Sequence, residues 1–408
     1  MEYTCRFCKS KNFLEVLDIG ARPLANSYIS KKNFMNLEAH YYLKIVKCNE
    51  CFLVQSPANI DPNIFFSNYA YLSSFSSSWV KHASSFCDAM ITYNKFEKLD
   101  FAVEIASNDG YLLQNFLNKN INCLGIEPAK NIAEISKQKG INTCSEFFGF
   151  KLSKKINEQY GKANLVIGNN VFAHVPDIND FVKGIENLLT PNGLVSLEFP
   201  SLEKLLSDNL FDTIYHEHYS YYSLLTVSKI FEKHKLKIVD VKELNTHGGS
   251  FRVLGSKYKS KWEVQENVDR IKKRELDFGI DKTQCYYNFS YQVEMIKTNS
   301  LKFLLNCKHE GKKVHGYGAA AKGNTLLNYL GAQKDLIEIV YDKNPLKQET
   351  YLPGSRIIVE KVENIKINKP DFILILPWNL SNEIIEELSY IRSWNGKFVV
   401  FFPELKIM

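Results

Sequence analysis

Four cysteines near the start of the chain constrain its fold more than any other feature. Cys5, Cys8, Cys48 and Cys51 form two C-x2-C pairs with 39 residues between the pairs. Each pair can bend into a knuckle that turns two thiolates toward one ion, and four thiolates complete a structural zinc site. The gap exceeds the roughly 15–20 residues of the commonest zinc ribbons, so we expect an insertion to loop out between the knuckles. Two redox pairs or unrelated thiols are the alternatives. Four protein ligands leave no position for substrate, so the predicted zinc is structural.

The insertion between the knuckles contains the segment GARPLANSYIS (20–30). Its turn-forming residues lie next to Arg22 and Asn26, two side chains that can reach a ligand from a small domain. The alternative is that this segment is only a loop of the zinc module.

Length and composition limit the class of protein. A chain of 408 residues is too long for one ordinary core, so two or three domains are expected. A hydrophobic content of 45% and a charged content of 24% are typical of a soluble globular protein. The net charge of +6 suits an anionic small substrate but is too mild for a nucleic-acid-binding surface. No apolar run is long enough for a membrane span, and the N-terminus lacks a signal-peptide pattern, so we expect a cytoplasmic protein.

Alternating strand and helix patterns predict an α/β fold. A buried strand that ends in a loop is expected in FAVEIASNDG (101–110), a second strand in CLGIEP (123–128), a strand and loop in ANLVIGNNVFAHV (163–175) and a further strand in LVSLEFP (194–200). A mainly helical segment is expected over 63–98, and further helices follow the strands, beginning with YLLQNFLNK at 111–119. This alternation is typical of a parallel doubly wound sheet. A second series of this kind begins at 314, after a charged, helical connector at 261–310.

The first strand leads into EIASNDG (104–110), which has the position of a ligand-binding loop. Glu104 ends the strand, and Ser107, Asn108, Asp109 and Gly110 form a turn whose amides face a ligand. Such a loop serves either NAD or S-adenosylmethionine. The dinucleotide pattern GxGxxG is absent, which favours S-adenosylmethionine. The other predicted contacts are Glu127 and Pro128 at the ribose, Asn169 and Asn170 at the methionine end, and Phe147 at the adenine.

The segment YHEHYSYYS (215–223) is the densest group of acid–base residues. It follows the strand LVSLEFP, toward the ligand-binding edge of the sheet. Glu217 is expected to orient a neighbouring histidine ring and to raise its pKa. A tyrosine such as Tyr215 can donate a hydrogen bond to a developing oxyanion. A metal site or a polar surface helix are the alternatives, but the density of this group favours catalysis.

A second glycine-rich turn, GYGAAAKGN (316–324), opens the C-terminal series. Gly316 and Gly318 follow a predicted strand, and Lys322 begins the next helix. Helix amides together with a lysine suit a pyrophosphate. Asn324 in this turn, and Asp342 after the following strand, are further candidates for binding the substrate. A purely structural turn is an equally good interpretation of the pattern alone.

Taken together, these motifs resemble the nucleotide-sugar C-methyltransferases, enzymes that methylate a carbon of a keto-deoxysugar. The resemblance covers essentially the whole chain, because it rests on the cysteine set and on the segments PLANS (23–27), EIASNDGYLL, GIEPA (125–129), VFAHV (171–175), YHEHYSYYS, HGGSFR (247–252), GYGAAAKGNTLLN (316–328) and YLPGS (351–355). It implies a zinc-binding domain, a central class I methyltransferase domain with a Rossmann-like sheet, and a C-terminal Rossmann-like domain that binds the sugar nucleotide. We expect these domains at 1–63, 64–285 and 286–408.

The resemblance also implies roles for particular residues. The base would be His218, with Tyr215 and Glu217 nearby and His174 as another active-site histidine. Tyr69 or Tyr71 would be the tyrosine that precedes the donor loop; we expect Tyr69 in the catalytic group, and Tyr71 and His216 at the substrate. The family implies S-adenosylmethionine and structural zinc, with no obligate protein partner.

The resulting hypothesis is methylation at C3 of a nucleotide-linked 4-keto-deoxysugar by way of an enolate. An O- or N-methyltransferase is the first rival, since the same histidine could activate a hydroxyl or an amine. An RNA-modifying or RNA-binding protein and a non-catalytic sugar-nucleotide binder are further alternatives.

Overall fold

The computed structural model describes residues 3–57, 60–66, 72–75, 77–94 and 98–408. Its strands form three sheets of four, seven and eight strands. Short 3-10 helices cover Lys31–Asn33, Ser73–Phe75, Phe172–His174, Phe211–Thr213, Thr246–Gly248, Val362–Asn364, Trp378–Leu380 and Ser389–Trp394.

The N-terminal part is built on an antiparallel hairpin that brings the two cysteine pairs together. Its elements are β1 (Phe13–Pro23), β2 (Ile29–Ser30), β3 (His40–Cys48), β4 (Val54–Gln55) and α1 (Pro62–Phe66). Strands β1 and β3 pair with Phe13 opposite Cys48, so the end of β3 returns to the first knuckle. The insertion expected between the knuckles is therefore mostly this hairpin.

The central part is a seven-stranded, mostly parallel sheet. Its elements, in chain order, are α2 (Ser77–Tyr93), β5 (Phe101–Ile105), α3 (Leu113–Leu117), β6 (Asn122–Ile126), α4 (Lys130–Gln138), β7 (Thr143–Cys144), α5 (Phe150–Tyr160), β8 (Ala163–Asn169), α6 (Ile178–Leu188), β9 (Leu189–Pro200), α7 (Leu202–Ser207), β10 (Ser220–Tyr221), α8 (Leu224–Lys233), β11 (Leu236–Leu244) and β12 (Ser250–Lys257). The strand order is β11-β12-β9-β8-β5-β6-β7, with β11 and β12 antiparallel at one edge. The apolar residues of β5, β8 and β9 are buried between helices on both faces, as in other parallel sheets.

Two helices are shorter than the sequence pattern predicts. The helix expected at 111–119 is only α3, because the amides of Lys119 and Asn120 donate to carbonyls three residues back and Asn120 adopts a left-handed backbone. In the mainly helical segment expected over 63–98, the described residues form the end of α1, the 3-10 turn at Ser73–Phe75 and α2, while 67–71, 76 and 95–97 lie outside the described residues.

The C-terminal part adds a second α/β sheet behind two long helices. Its elements are α9 (Glu266–Phe278), α10 (Gln284–His309), β13 (Val314–Tyr317), α11 (Ala321–Leu330), β14 (Ile339–Tyr341), β15 (Thr350–Tyr351), β16 (Ile358–Glu360), α12 (Ile365–Asn368), β17 (Phe372–Ile375), α13 (Ser381–Glu387), β18 (Lys397–Val400) and β19 (Lys406–Ile407). The strand order is β19-β18-β17-β13-β14-β16-β15-β2, with a parallel centre from β18 to β16.

Two strands cross between the three parts. Strand β2 follows the N-terminal hairpin but pairs with β15 at the edge of the C-terminal sheet. Strand β10, which follows the YHEH segment, pairs with β4 in the N-terminal sheet. One hydrophobic cluster also contains residues of all three parts, for example Ile45, Leu206 and Leu327. The three parts are therefore packed as one unit around the YHEH segment. Within the described residues, we find no helix with the length and apolarity that crossing a membrane requires.

Candidate active site

The four N-terminal cysteines converge into a cluster that suits one zinc ion. Their sulfur atoms all lie within 4.8 Å of one another, with 3.5 Å between Cys5 and Cys51 and 3.5 Å between Cys8 and Cys48. Zn–S bonds of about 2.3 Å hold tetrahedral sulfurs roughly 3.8 Å apart, so the cluster fits zinc after a small expansion. The side-chain amide of Gln55 donates to the Cys5 sulfur at 3.2 Å, which favours a thiolate there.

Unusual backbone geometry marks the loop predicted to bind the methyl donor. Ala106 and Asn108 in this loop, and Asn170 after β8, have positive φ angles of 56°, 50° and 54°. Such conformations cost free energy in residues other than glycine and are concentrated at functional sites. Gly110 has a φ of 77°, and an added Cβ would lie 2.8 Å from the Ser136 hydroxyl. The surrounding structure therefore holds the backbone of this loop in conformations that residues other than glycine rarely adopt.

Three buried carboxyl groups surround this loop. Burial raises the pKa of Glu104 well above its ordinary value, and the charges of Glu127 and Asp109 raise it further. Asp109 is neutralised by Lys139 at 2.7 Å. The Glu127 carboxylate accepts hydrogen bonds from the amides of Asn108 at 3.0 Å and Ala129 at 2.9 Å. In this structure Glu127 therefore stabilises the loop itself.

Several buried polar atoms of this region have no hydrogen-bond partner among the residues described. They are Oε2 of Glu104, Oγ of Ser107 and both amide atoms of Asn169. Buried polar groups are normally satisfied, so unpaired atoms at one edge of a parallel sheet indicate a polar ligand. An acidic, polar lining fits the cationic sulfonium and the amino-acid end of S-adenosylmethionine. Pro128 is half-buried beside this region, whereas Phe147 has 46% of its surface exposed.

The YHEH segment brings His218 together with two other rings. The His218 ring centroid lies 4.0 Å from that of Tyr215 and 4.7 Å from that of His174. Nδ1 of His218 lies 2.8 Å from the carbonyl oxygen of Thr213. Because a carbonyl only accepts hydrogen bonds, Nδ1 carries the proton and Nε2 keeps its lone pair.

The pKa of His218 is lowered rather than raised, contrary to the sequence-based expectation. Burial lowers the pKa of His218 well below 6.5, and the nearby His174 lowers it further. Burial likewise lowers the pKa of His174 to about 4. The expectation is wrong because the Glu217 carboxyl does not bind the His218 ring. Its Oε1 accepts a hydrogen bond from the side chain of Asn26 at 2.7 Å.

Glu217 and His216 both contact the N-terminal module. Burial raises the pKa of Glu217 to about 7, although the Asn26 hydrogen bond acts in the opposite direction. Nε2 of His216 lies 2.9 Å from the carbonyl of Tyr41 and therefore donates to it. Tyr69 and Tyr71, which the sequence analysis also assigned to the site, lie outside the described residues.

The C-terminal glycine-rich turn is closed by its own neighbours. Asp342 accepts hydrogen bonds from the amides of Ala319 at 2.7 Å and Asn344 at 2.8 Å. A Cβ on Gly318 would lie 2.5 Å from Pro377, and one on Gly316 would lie 2.8 Å from Val340. Close packing is thus sufficient to explain both glycines.

Lys322 and Asn324 face the interior rather than the outside of this turn. The buried Lys322 ammonium lies 5.2 Å from the Trp378 ring and has no hydrogen-bond partner within the described parts of the chain. Burial lowers the pKa of Lys322, and Asp212 opposes this shift. The charge of Lys322 also acts on His218, which puts the lysine on the histidine side of the turn. Asn324 donates to the carbonyl of Ala25 at 2.6 Å.

A buried ionic group near the carboxyl end of β9, opposite Asn169 of β8, has no motif of its own in the sequence. Nε of Arg252 lies 2.5 Å from Oε1 of Glu198, and Nε2 of His82 lies 2.9 Å from Oε2 of the same carboxylate. Burial favours a higher pKa for Glu198, but the His82 hydrogen bond and the Arg252 charge outweigh it and lower the pKa. Glu198 lies near the carboxyl end of β9, just as Glu104 and Glu127 lie near the carboxyl ends of β5 and β6. This position relative to the strand is the sequence feature from which Glu198 could have been identified.

His247 is a second residue that was not singled out individually. It has a φ of 55° and lies before Gly248 and Gly249, in the segment HGGSFR. Burial lowers the pKa of His247 to about 4, with a further effect from Lys322. Its ring centroid lies 5.6 Å from that of Trp79.

Comparisons with known proteins agree with this architecture. Three family models match the chain in order: a zinc binding domain at residues 5–66, a methyltransferase domain at 85–241 and a C-methyltransferase C-terminal domain at 245–403. The C-methyltransferase NovU of Streptomyces niveus is 33% identical over 404 residues, which cover 99% of this chain and 96% of that protein.

Among solved structures, the similarity is limited to a part of the chain. An S-adenosylmethionine-dependent methyltransferase from Clostridium acetobutylicum is 16% identical, with 43% of this chain and 91% of that chain covered and a TM-score of 0.36. Magnesium protoporphyrin IX methyltransferase from Synechocystis, solved with bound S-adenosylhomocysteine, is 12% identical, with 44% and 82% covered and a TM-score of 0.35.

The chain belongs to the C-methyltransferase family. The order of the three matched domains and the similarity to NovU over nearly the full length define it as an S-adenosylmethionine-dependent C-methyltransferase with an N-terminal zinc-binding domain. This confirms the family resemblance and the three-part α/β fold class.

Proposed function

We propose that this enzyme methylates C3 of a nucleotide-linked 4-keto-deoxysugar through an enolate. The observation that carries the proposal is the state of His218. The hydrogen bond from Nδ1 to the Thr213 carbonyl leaves Nε2 as the proton acceptor, and the lowered pKa keeps the ring neutral at physiological pH. A neutral, oriented imidazole is the form that a general base requires.

The low pKa of His218 also limits how strong a base it is. Removal of a proton from carbon therefore depends on stabilising the product, and a ketone beside the C–H group allows this because the charge moves to oxygen. The Tyr215 hydroxyl, beside His218, is the donor proposed to hold the enolate oxygen. The single ring N–H of neutral His174 donates to the Glu217 backbone carbonyl, so His174 would serve as a second donor only by exchanging that bond for the enolate oxygen. Tyr69, outside the described residues, is a further candidate from the sequence.

The methyl-transfer step follows from this arrangement. S-adenosylmethionine, when bound, supplies a methyl group that is activated by its positive sulfur. The residues that would hold it are Glu104, Ser107 and Asn169 through their unpaired atoms, together with Asn108, Asp109, Gly110, Glu127, Pro128, Phe147 and Asn170 around them. His218 takes the C3 proton, and the C3 carbon bonds to the methyl carbon as the carbon–sulfur bond breaks. Because opposite charges meet and cancel, positioning contributes much of the rate.

The acceptor site is proposed at the junction of the three parts of the chain. His216, Gly316, Gly318, Lys322, Asn324 and Asp342 keep their proposed role in binding the nucleotide sugar, with Tyr71 outside the described residues. The inward position of Lys322 favours contact with the sugar half of the acceptor over contact with an exposed pyrophosphate. The domain limits of 63 and 285 also remain our proposal.

The test is mass spectrometry of the purified enzyme with S-adenosylmethionine and a panel of 4-keto-6-deoxy sugar nucleotides in deuterated water. We expect one added methyl group and loss of the C3 hydrogen. His218→Gln should abolish methylation but still bind S-adenosylmethionine in calorimetry. His309→Gln, at the exposed end of α10, is the matched control and should behave as wild type. A methyl group on oxygen or nitrogen, or near-normal turnover by His218→Gln, would contradict the proposal.

A further inference from the structure

The loop that follows the first zinc-module strand, residues 23–28, contacts the other two parts of the protein. Asn26 donates to the Glu217 carboxyl in the YHEH segment at 2.7 Å. The next two contacts reach the C-terminal part: Asn324 donates to the Ala25 carbonyl at 2.6 Å, and the Tyr28 hydroxyl donates to the Ala319 carbonyl at 2.5 Å. Three successive contacts therefore fix this loop between the catalytic segment and the glycine-rich turn.

The ends of the same loop are anchored in two different sheets. It begins at the end of β1, in the N-terminal sheet, and it leads into β2, which pairs with β15 of the C-terminal sheet. The Asn328 side chain and the Glu38 carboxylate also hold the segment 353–354, next to the loop. Because both ends of the loop are held in sheets, the fold fixes the backbone position of Asn26.

The zinc module also fixes the catalytic segment from its other side. Strand β4 begins three residues after Cys51 and pairs with β10, which begins two residues after His218. The Ser56 amide donates to the Tyr219 carbonyl at 2.9 Å. Glu217 and His218 are thus held between Asn26 on one side and β4 on the other.

The exposure of the two partners shows where their contact lies. Only 4% of Glu217 is exposed, whereas Asn26 is an exposed residue. The hydrogen bond therefore lies where a buried carboxyl meets the solvent. A buried carboxylate with one oxygen held by an amide is suited to accept a hydrogen bond from a ligand hydroxyl with the other.

We propose that Asn26 is a positioning residue of the acceptor site, which holds Glu217 so that its carboxylate accepts a hydrogen bond from the acceptor sugar. The hydrogen bond that Glu217 accepts from the acceptor sugar rests on the function proposed above. The hydrogen bond by which Asn26 positions the Glu217 carboxyl group does not depend on that function. The zinc module thereby takes part in acceptor binding as well as in folding.

The titration of Glu217 offers a direct test that needs no acceptor. The groups that face the Glu217 carboxyl are Asn26 and Tyr28 of the loop and Tyr219, which follows the YHEH segment. His174 donates a hydrogen bond to the backbone carbonyl of Glu217. Difference infrared spectroscopy of the wild type against Glu217→Gln isolates this carboxyl band. Loss of a hydrogen bond to a charged group should move its titration midpoint upward by about one pH unit in Asn26→Ala. The near-isosteric Asn26→Asp should move it further, since two carboxyl groups then face each other.

Turnover provides the second arm. With an accepted sugar nucleotide, Asn26→Ala should lower kcat about five- to tenfold at pH 7 and less at pH 9, where Glu217 ionises again. Zinc content and S-adenosylmethionine affinity should stay at wild-type values in Asn26→Ala and in Asn26→Asp. Asn36→Ala is the matched control, because its exposed side chain donates to Asn33 within the same module. A pH-independent loss would indicate a merely structural role and would contradict the proposal.

The outcomes separate the two proposals. If the wild type methylates no sugar nucleotide, the proposed function fails, and the infrared titration still decides whether Asn26 controls Glu217. If the wild type is active and Asn26→Ala leaves both the titration midpoint and kcat unchanged, the inference about Asn26 is overturned and the proposed function is unaffected.

Discussion

Arg252→Met should destabilise the protein strongly, because it leaves a buried carboxylate without its main counter-charge. Glu198 is 1% exposed and Arg252 is 5% exposed, and the two side chains are 2.5 Å apart. Removal of one partner of such a pair typically costs about 3–5 kcal/mol of unfolding free energy. His82 keeps its contact with Glu198 at 2.9 Å, so one partner of the carboxylate remains and we expect a value near the lower end, about 3 kcal/mol.

Urea unfolding at pH 7.5 with zinc present measures this loss, provided that fluorescence and circular dichroism give coincident transitions. The matched variant is Glu198→Gln combined with Arg252→Met. Since no uncompensated charge remains there, the double variant should be more stable than Arg252→Met alone. The low pKa of Glu198 means that the native ion pair contributes above the ordinary carboxyl pKa of about 4.5 and is lost as the pH falls below it.

The reasoning would be refuted by a loss below about 1 kcal/mol for Arg252→Met, or by a double variant as unstable as the single one. The first result would mean that the carboxylate is hydrated in the variant. The second would mean that Arg252 acts through its packing on the Phe86 ring, 4.6 Å away, rather than through its charge.

Three further predictions concern other parts of the molecule. Cys48→Ser should lower the zinc content measured by plasma emission well below one ion per chain and reduce the melting temperature, whereas Cys87→Ser, remote from the cluster, should keep the zinc. Gly110→Ala should weaken S-adenosylmethionine binding in calorimetry by about tenfold, because φ is 77° and the added Cβ meets Ser136; wild-type affinity would contradict this. Burial raises the pKa of Glu275 to about 7, so its contribution to stability is present at acidic pH and is lost as the pH rises through 7. Between pH 6 and pH 8.5, the urea midpoint of the wild type should therefore fall more than that of Glu275→Gln. Equal falls in the two proteins would refute the assignment.

The sequence patterns predicted those elements whose structure depends on residues close together in the chain. The alternation of apolar runs with amphipathic segments identified β5, β6, β8 and β9 of the central sheet, since each of these strands is buried on both faces. The cysteine spacing identified the zinc cluster, because thiolates have few other reasons to occur in two such pairs. The position proposed for the donor loop rests on the same alternation, because ligands bind at the carboxyl ends of parallel strands, and it stays a prediction.

Contacts between distant segments were not predictable in the same way. The bond between Asn26 and Glu217 joins residues 191 positions apart, and the expectation that Glu217 orients a histidine failed because adjacency in sequence says little about contact. Strands β2 and β10 have two residues each, too few for any periodicity to be visible. Lys322 was predicted at a pyrophosphate, and the pattern alone could not show that the 3-10 turn carrying Asp212 lies against it.

Strands β2 and β10 each pair with a sheet of another part of the chain, and this explains why a closed zinc site can matter for catalysis without taking part in the chemistry. With four thiolate ligands, the ion is expected to act only on the protein that surrounds it. That protein includes β4, whose partner β10 begins two residues after His218, and the loop that holds Glu217. Removal of the zinc module from the central sheet would leave the donor loop intact but would take away both supports of the YHEH segment. The central domain alone should therefore bind S-adenosylmethionine and transfer no methyl group, because the acceptor site proposed above is built by the assembled chain and not by any one of its three parts.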